Sequence, residues 1–431
     1  MALVPDHHMS APPTWYHATA PAAPSRPPLS GPLRARACVV GGGLCGVSAA
    51  LHLAERGIDT VLLEAEAIGH GASGRNGGQI VQGFSAPMER IEAAVGRADA
   101  QVFWDMGREA IAAIPERVAR HGIDCDLRWG YLIAALNRRQ LDDLRETVAQ
   151  WAGYGYTGPS IVEGAGLRTV LGTDLYAGGM LEPGSGQLHP LAYLRGLAAA
   201  AEAAGARLHE QSAAVAIDHG DTVRVSTAGG SVEADILILA GNAYLGRLVP
   251  SLNRRLMPVA SFVGVTVPLG EERARRLFPQ DVAVADCNVA LDYYRLTADR
   301  RLLFGAGASY SATTPAGLKD WLARRFRRVF PELTDVTVEH AWGGLIGITH
   351  NRIPDFGRLA PNVLYAQGFS GQGVALTGLA GTLLAEAATG DDSRFRLVER
   401  IRHLPFPGGL LRTPTLVAAM GVLKLKDRLG W

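Results

Sequence analysis

The sequence lacks the long apolar runs that membrane proteins need. Of its 431 residues 48% are hydrophobic, yet no apolar run reaches the roughly 18 residues of a membrane span. No basic start followed by an apolar core, the pattern of a secretory signal, opens the chain. We therefore predict a globular protein with no membrane span, and a cytoplasmic location follows by default.

An excess of charge of either sign is also missing. Forty-two basic residues stand against 41 acidic residues, which gives a formal net charge of +1. A nucleic-acid-binding surface normally appears as a strong positive excess, so that class of partner is excluded and a small molecule is favoured. The length predicts two domains, because a single core rarely grows beyond about 250–300 residues. Self-association into a homo-oligomer stays open.

Lysine and cysteine are both scarce. Lys319, Lys424 and Lys426 are the three lysines, and the four cysteines are too irregularly spaced for a C-x-x-C or a metal pattern. Free, reduced thiols and no bound metal are expected.

The first 34 residues are rich in proline and have little apolar periodicity. This composition predicts an arm rather than a folded domain. Trp15 and Tyr16 are the candidates for pinning the arm to the body. His7 and His8 resemble a metal pair only in isolation, and a plain N-terminal segment is the favoured interpretation.

Residues 37 to 64 have the pattern of a unit that holds the ADP half of a dinucleotide. An apolar strand enters a G-x-G-x-x-G turn at Gly41, Gly43 and Gly46, and a helix and a second strand ending at Glu64 follow. The glycines allow the tight turn, the approach of a pyrophosphate and close helix packing, while Glu64 would bind the ribose hydroxyls. An acid there disfavours NADP. The motif alone does not separate FAD from NAD, and an ordinary glycine turn is the alternative.

Two further glycine-rich stretches are candidate binding loops. Residues 71 to 79 directly follow the second strand and predict a loop that covers the cofactor, with a flexible surface loop as the alternative. Residues 368 to 373 open a helix, and a helix N-terminus favours an anion.

With these stretches in place, the chain resembles the glycine oxidase and D-amino acid oxidase group of flavoenzymes. The similarity runs from about residue 13 to residue 431. Within the group the chain looks most like the gamma-glutamylputrescine oxidases. The segments that carry the resemblance are 71–80, 240–246, 286–288, 291–297 and 405–409. The resemblance implies FAD rather than NAD.

The resemblance also implies an α/β fold with a Rossmann-type FAD-binding domain assembled from separated segments and a second, α+β substrate domain like that of glycine oxidase. The expected division is an arm over 1–34, an FAD-binding domain over 35–90, 165–255 and 341–400, a substrate domain over 91–164 and 256–340, and a tail over 401–431. The tail contains an apolar stretch, 416–425, that we expect to pack on the protein rather than on a membrane surface.

The resemblance extends the set of cofactor-binding candidates beyond the fingerprint. The full set is Gly41, Gly43, Leu44, Cys45, Gly46, Glu64, Ala72, Ser73, Arg75, Asn76, Gly77, Gly78, Gln79, Ala214, Val215, Ala240, Gly241, Gly368, Phe369, Ser370, Gly371, Gln372 and Gly373. The flavin is expected to be non-covalent, because Ala341 and Phe369 stand nearest to the positions where relatives with tethered flavin carry a cysteine or histidine.

The implied reaction is oxidation of the terminal primary amine of an acylated polyamine to an aldehyde, with O2 giving hydrogen peroxide. Amino-acid oxidases of the group carry a carboxylate-binding arginine after a Trp-x-Gly-Leu pattern. Here Ile346 follows that pattern, which disfavours an α-amino acid. Tyr293, Tyr294 and Trp342 are candidates for an aromatic lid over the amine, with core packing as the alternative for each.

A glutamyl head far from the reacting amine would need a cation, and Arg128 and Arg295 are the candidates. A surface or structural role is the alternative for both. Some relatives use a lysine near the flavin to activate oxygen. Here that role is filled by His350, Arg352 or Arg75, or no residue fills it. The alternative functions are an FAD-dependent amine or amino-acid dehydrogenase that reduces a quinone or carrier protein, and a non-enzymatic FAD-binding protein.

Overall fold

The computed structural model describes residues 14–288, 290–309 and 315–406. In chain order its strands are β1 Gly31–Val40, β2 Thr60–Leu63, β3 Gln79–Ile80, β4 Arg128–Ala135, β5 Ser160–Glu163, β6 Gly178–Gln187, β7 Arg207–His209, β8 Ala216–Asp218, β9 Val223–Ser226, β10 Gly230–Leu239, β11 Met257–Pro268, β12 Ala283–Asp286, β13 Asp292–Leu296, β14 Arg301–Ser309, β15 Val338–Ile348, β16 Asp355–Ala360 and β17 Val363–Gln367.

The helices lie between these strands. They are α1 Trp15–Thr19, α2 Leu44–Glu55, α3 Met88–Val95, α4 Arg97–His121, α5 Arg138–Gly153, α6 Gly164–Arg168, α7 Pro190–Ala203, α8 Pro250–Asn253, α9 Glu271–Leu277, α10 Leu318–Val329, α11 Gly373–Ala388 and α12 Ser393–Glu399. Two short 3-10 helices span Ala72–Gly74 and Asn242–Tyr244.

The first sheet has the order β16-β17-β10-β1-β2-β7, with β8 and β9 joined to the side of β10. Strands β17, β10, β1, β2 and β7 run parallel. Its central strands are continuous apolar runs, as expected when helices cover both faces of a parallel sheet. Strand β1 begins at Gly31, six residues before the predicted apolar run, because its first half pairs with residues 230–234 of β10.

The second sheet has the order β15-β11-β14-β13-β12-β4-β6-β3, with β5 paired to β6. One face packs on α9 and α10, where Phe262, Tyr294, Phe304 and Phe326 share a core. The other face carries Tyr293, Val263 and Trp342 and is turned toward the loop 71–79 and the N-terminal segment. Strands β13 and β14 form a hairpin, since they pair antiparallel from Asp292 and Ala306 onward.

The division of the chain between the two layers differs from the predicted boundaries at three places. Helix α4 packs against α11 and shares the core of α2, although 91–164 was predicted to lie in the substrate domain. Strand β6 lies in the second sheet, although 165–255 was predicted for the first domain. Strand β15 also lies there, although the boundary was predicted at residue 341. Strand β6 contains four glycines, which hide the alternating pattern of a strand.

The N-terminal segment is tied to the body as expected. Trp15 is 5% exposed and Tyr16 is fully buried, and both pack on residues of the second sheet. Arg26 is also buried and forms an ion pair with Glu202 at 2.7 Å. His7, His8 and the apolar stretch 416–425 lie outside the described residues.

Within the described residues, no helix is long and apolar enough to cross a membrane. In the same part of the chain no group of three or more candidate ligands could hold a metal ion. All four cysteines are free, as expected.

Candidate active site

The first glycine turn has the geometry that its sequence predicts. Gly41 has φ +115°, which disfavours other residues. A Cβ at Gly46 would lie 1.9 Å from the Gly41 carbonyl oxygen. Leu44 and Cys45 form the first turn of α2, whose N-cap residue Gly43 has no side chain to bond its amides. The close packing of α2 on β1 therefore depends on these glycines, and the positive end of α2 points out of the sheet edge.

Glu64 lies at this edge and closes the turn. Its Oε2 accepts a hydrogen bond from the Gly42 N–H at 2.6 Å, and its Oε1 accepts one from the Glu66 N–H at 3.0 Å. Burial raises the pKa of the Glu64 carboxyl above its usual value. Each oxygen keeps a further lone pair, so the carboxylate can also accept bonds from two ribose hydroxyls.

A second helix begins at the same edge. Strands β1 and β17 are parallel members of one sheet, so α2 and α11, which follow them, start on the same side. The two helices pack closely, with the Ser48 Oγ donating to the Gly378 carbonyl at 2.7 Å. Two positive helix ends therefore face one crevice, where they favour anionic groups.

The loop that opens α11 is shaped by left-handed residues. Gly368, Ser370 and Gly371 all have positive φ. The Gly368 N–H donates to the Asn242 Oδ1 at 2.9 Å, which joins this loop to the end of β10. Phe369 packs in the first core. Gln372 and Gly373 start the helix, and the Gln372 Oε1 is buried without a partner.

The loop 71–79 is anchored at many points, so the interpretation as a flexible surface loop is wrong. The Ser73 Oγ accepts a bond from the Leu44 N–H at 3.0 Å. Asn76 donates to the carbonyls of Ala72 and Ser73. The Gln79 Nε2 donates to the Val284 carbonyl at 3.0 Å. The loop thus connects the first glycine turn with the second sheet.

Two glycines of this loop allow close approach of other groups. A Cβ at Gly77 would lie 2.6 Å from the Tyr293 ring. Gly78 has φ +71°, and a Cβ there would lie 2.1 Å from the Leu188 carbonyl oxygen. Both positions therefore require glycine.

Arg75 is a buried cation between the two layers. Its side chain is 5% exposed, its Nε donates to the His70 carbonyl at 2.7 Å, and its Nη1 has no partner. Among the described residues no carboxylate pairs with it. Burial lowers the pKa of the Arg75 guanidinium. A buried, unpaired charge in a cleft is typical of a functional site.

The remaining cofactor candidates lie at the same edge of the first sheet. Ala240 and Gly241 follow β10, and a Cβ at Gly41 would meet the Ala240 carbonyl carbon at 2.9 Å. Ala214 and Val215 follow β7, whose neighbour Ser212 donates its N–H to the Glu64 carbonyl at 2.7 Å. Val215 is 63% exposed. The cofactor role of these four residues stays a prediction.

The inner face of the second sheet combines residues from three strands, β11, β13 and β15. In β11 and β15, Ser261 pairs with Gly344 and Val259 pairs with Ile346. The Ser261 Oγ lies 3.3 Å from the Tyr293 Oη. Ile346, Ser261 and Tyr293 therefore share this inner face with Arg75, which packs against Gly344.

Trp342 and Tyr294 differ in position from an aromatic lid. The Trp342 Nε1 donates to the Arg75 carbonyl at 2.9 Å and the side chain is 1% exposed, so it supports the loop from below. Tyr294 lies on the opposite face of its strand, stacked on Phe304 and bonded to the Tyr176 Oη at 3.0 Å. Neighbouring strand residues point to opposite faces, so Tyr293 alone of the tyrosine pair remains a lid candidate.

Neither predicted arginine is free to bind a substrate carboxylate. Arg128 donates to Asp281 at 2.6 Å and to Asp126 at 2.9 Å, so its charge is already neutralised. Arg295 is 1% exposed and donates to the carbonyls of Gly77 and Leu188. These contacts correct the substrate-binding predictions, and they indicate structural roles for both residues.

His350 also differs from its predicted catalytic position. It lies in the turn after β15, is exposed, and has the Phe406 ring at a centroid distance of 6.1 Å. Arg352, in the same turn, has φ +65°. Of the three residues considered for oxygen activation, Arg75 is the one buried between the layers.

Sequence patterns did not reveal three residues of this site. The Tyr16 Oη donates to the Asn76 carbonyl at 2.8 Å. The Tyr244 ring lies against Gly71, and the Tyr244 Oη accepts a bond from the Leu345 N–H. Ser261 lies inside an otherwise apolar strand. The sequence offered one signal for them, which is that the hydroxyl of Ser261 interrupts a strand whose other inner residues are apolar.

Comparisons with known proteins agree on one family. A sequence model of the family described as "FAD dependent oxidoreductase" matches residues 36–387. The gamma-glutamylputrescine oxidoreductase of Escherichia coli (strain K12) is 44% identical over 91% of this chain and 93% of that protein. The glycine oxidase of Geobacillus kaustophilus is 26% identical over 83% and 94%, and the crystal structure of glycine oxidase from that organism has a TM-score of 0.69, covering 83% of this chain and 95% of that one.

Proposed function

Because this chain belongs to the FAD dependent oxidoreductase family, we propose that it oxidises the terminal primary amine of a gamma-glutamylputrescine-like compound. The overall reaction converts R–CH2–NH2, O2 and water into the aldehyde R–CHO, ammonia and hydrogen peroxide. The observation that carries the proposal is the 44% identity over nearly the whole length of both chains to a gamma-glutamylputrescine oxidoreductase.

FAD fits the crevice of the first sheet. The two helix N-termini suit the pyrophosphate and the anionic edge of a flavin, and Glu64 suits the ribose. The buried Gln372 Oε1 and Arg75 Nη1 have no hydrogen-bond partner in the part of the chain that the structure describes, so both can bond a cofactor. When bound, FAD supplies the two-electron acceptor for oxidation of the carbon–nitrogen bond.

The chain's own residues favour the neutral, reactive form of the amine. Val259 and Ile346 give the inner face an apolar surface, which disfavours an ammonium by desolvation. The unpaired Arg75 cation disfavours it further by repulsion. Ser261 and Tyr293 supply hydroxyls that can hold the amine nitrogen. Burial raises the pKa of Tyr293 to about 12, so its hydroxyl stays protonated and can donate.

Ile346 also supports an amine over an α-amino acid. It stands on the inner face of β15, paired with Val259, and an isoleucine offers no partner to a carboxylate next to the reacting carbon. A substrate with a charged group close to the amine would therefore leave that charge unpaired, which is costly in a buried site.

The test is a substrate panel with FAD-loaded protein and detection of peroxide and aldehyde. We expect gamma-glutamylputrescine to exceed putrescine, glycine and D-alanine in kcat/KM. Glycine or D-alanine as the best substrate would contradict the proposal. Aldehyde formation that needs an added quinone and yields no peroxide would favour a dehydrogenase instead.

The flavin is expected to be held without a covalent bond. Ala341 points into the outer core of the second sheet and Phe369 into the first core, so neither position offers a tether. Acid precipitation should release a yellow supernatant, and a yellow pellet would contradict this expectation.

A further inference from the structure

A group of buried and half-buried polar side chains lies near α4 and β6, and we call Gln82, Arg108, Tyr156 and Glu182 the distal polar cluster. Glu182 is 1% exposed and Gln82 is 3% exposed. The Glu182 Oε1 accepts hydrogen bonds from the Tyr156 hydroxyl and from the Gly184 N–H at 2.8 Å. The carboxylate is therefore held in one orientation.

Four buried atoms of the distal polar cluster have no hydrogen-bond partner among the described residues. They are the Oε2 of Glu182, the Nη1 of Arg108 and both amide atoms of Gln82. Among the described residues, neither Arg108 nor Glu182 takes part in an ion pair within 4 Å. Buried polar groups in proteins nearly always have a partner, and an unpaired buried charge is more costly still. Within the described residues, these atoms are therefore available to hydrogen-bond a bound group.

The polar ends of three side chains of the cluster lie around one glycine. A Cβ at Gly184 would lie 2.6 Å from the Tyr156 Oη, 3.1 Å from the Glu182 Oε1 and 3.2 Å from the Arg108 Nη1. One residue before Arg108, a Cβ at Gly107 would lie 3.8 Å from the Gln82 Nε2. Opposite charges thus face the same region without touching each other, and glycines border it.

The distal polar cluster adjoins the candidate active site. Glu182 pairs in register with Tyr131, whose hydroxyl donates to the Gln79 Oε1 at 3.0 Å. Three residues after Gln82, the Ser85 Oγ donates to the Ser370 carbonyl at 3.0 Å. Loop 71–79 is therefore bonded to the strand that pairs with β6, and loop 368–373 is bonded to the segment that follows Gln82.

We propose that the distal polar cluster binds the zwitterionic head of an amino-acid-conjugated amine, a proposal that rests on the proposed function. A gamma-glutamyl group keeps a free carboxylate and a free ammonium at the end remote from the reacting amine. Arg108 binds the carboxylate and the Glu182 Oε2 binds the ammonium. Gln82 can donate to one and accept from the other. This cluster takes the role that Arg128 and Arg295 cannot fill.

The surrounding aromatic groups fix the two charges in advance. The Arg108 guanidinium lies 4.0 Å from the centroid of the Tyr156 ring, and the Tyr156 ring packs beside Trp104 and Trp151. Burial, with the hydrogen bond to Glu182, raises the pKa of Tyr156 to about 12. The tyrosine therefore remains a donor at all physiological pH values. Because the side chains are already held in place, less conformational freedom is lost when the head binds.

The experiment pairs each substitution with the substrate that lacks the matching group. In FAD-loaded enzyme, Arg108→Met should lower kcat/KM for gamma-glutamylputrescine about 10- to 100-fold, but change that for 4-aminobutanoylputrescine, which lacks the carboxylate, less than about threefold. Glu182→Gln should show the same contrast between gamma-glutamylputrescine and glutarylputrescine, which lacks the ammonium. Arg97→Met is the matched control, since Arg97 lies on the same helix over the Tyr154 ring.

Equal losses on both members of a pair would overturn the proposal and leave a structural or water-filled cluster. Direct binding of gamma-glutamyl-n-butylamide, which has no reacting amine, separates this proposal from the proposed function. Calorimetry should show binding to the wild type that weakens at least about tenfold in both variants, even if no amine is oxidised. Arg108→Lys should recover part of the affinity. Oxidation of gamma-glutamylputrescine with no dependence on either residue would retain the function and refute the head-group site.

Discussion

The crevice of the first sheet and the inner face of the second sheet are built in different ways. The crevice consists mainly of backbone: two helix ends, glycines with positive φ, and one carboxylate bonded to an N–H. The inner face consists of side chains from segments far apart along the chain, as the contact between Trp342 and Arg75, 267 residues apart, shows. We expect the crevice to tolerate substitutions of nearby side chains but not an added Cβ at its glycines. We expect the inner face to be sensitive to substitution of the side chains that form it.

The largest effect is expected at Gly46. An alanine there would put its Cβ 1.9 Å from a backbone carbonyl, so α2 must move away from β1. We expect FAD affinity to fall by more than about a hundredfold, that is by about 3 kcal/mol or more, with a lower melting temperature.

Gly57→Ala, at the other end of α2, is the control for Gly46→Ala. Gly57 has φ +73° but nothing within 4 Å of its Cβ position, so only backbone strain of about 1–2 kcal/mol is expected, with FAD affinity retained. Normal FAD binding by Gly46→Ala would show that the crevice is less rigid than its backbone indicates.

Glu64→Ala should have the next largest effect. It removes the acceptor of two backbone bonds and two ribose bonds, and a loss on the order of 3 kcal/mol corresponds to about a hundredfold in FAD affinity. Fluorescence titration of the apoprotein measures it. Glu64→Gln keeps one acceptor oxygen and should lose less. Unchanged affinity in both would locate the ribose elsewhere.

The neighbouring tyrosines of β13 sharpen the comparison within the second sheet. Tyr294→Phe leaves the Tyr176 hydroxyl without its partner in the outer core, which should lower the free energy of unfolding by about 1–3 kcal/mol with kcat/KM unchanged. Tyr293→Phe should lower kcat/KM about 3- to 10-fold at nearly unchanged stability, since its bond to Ser261 is long. Denaturant unfolding and amine kinetics on both variants decide this. The opposite outcome would mean that the inner and outer faces are misassigned.

The smallest effect concerns Asp286 and pH. Burial and the nearby Asp292 raise the pKa of the Asp286 carboxyl to about 7, well above the value in an unfolded chain. The folded state therefore holds more protons between these values, and this group costs stability as pH rises from about 4 to 7. Asp286→Asn should gain stability relative to the wild type between pH 5 and 8. Melting temperatures that stay parallel across this range would contradict the assignment.

The backbone elements of the crevice could be predicted from the sequence because each depends on a short local pattern. The turn at Gly41 and Gly46, the acid Glu64 and the helix start at Gly373 each follow from a few consecutive residues. The inner face was predicted less well. Arg295 and Tyr293 are two residues apart on β13 and therefore share one face, but only the contacts with Tyr16 and the loop 71–79 show that Arg295 is enclosed. The ion pair of Arg128 could not be predicted from the sequence, because its partner Asp281 lies 153 residues away along the chain.

The docked N-terminal segment has a consequence for the order in which the protein folds. Tyr16 is synthesised long before its partners, which include His189, Arg295 and Trp342. The segment cannot complete its contacts until most of the chain has been synthesised, and such long-range contacts form slowly. Until then the loop at Asn76 lacks the hydrogen bond that the Tyr16 Oη donates to it.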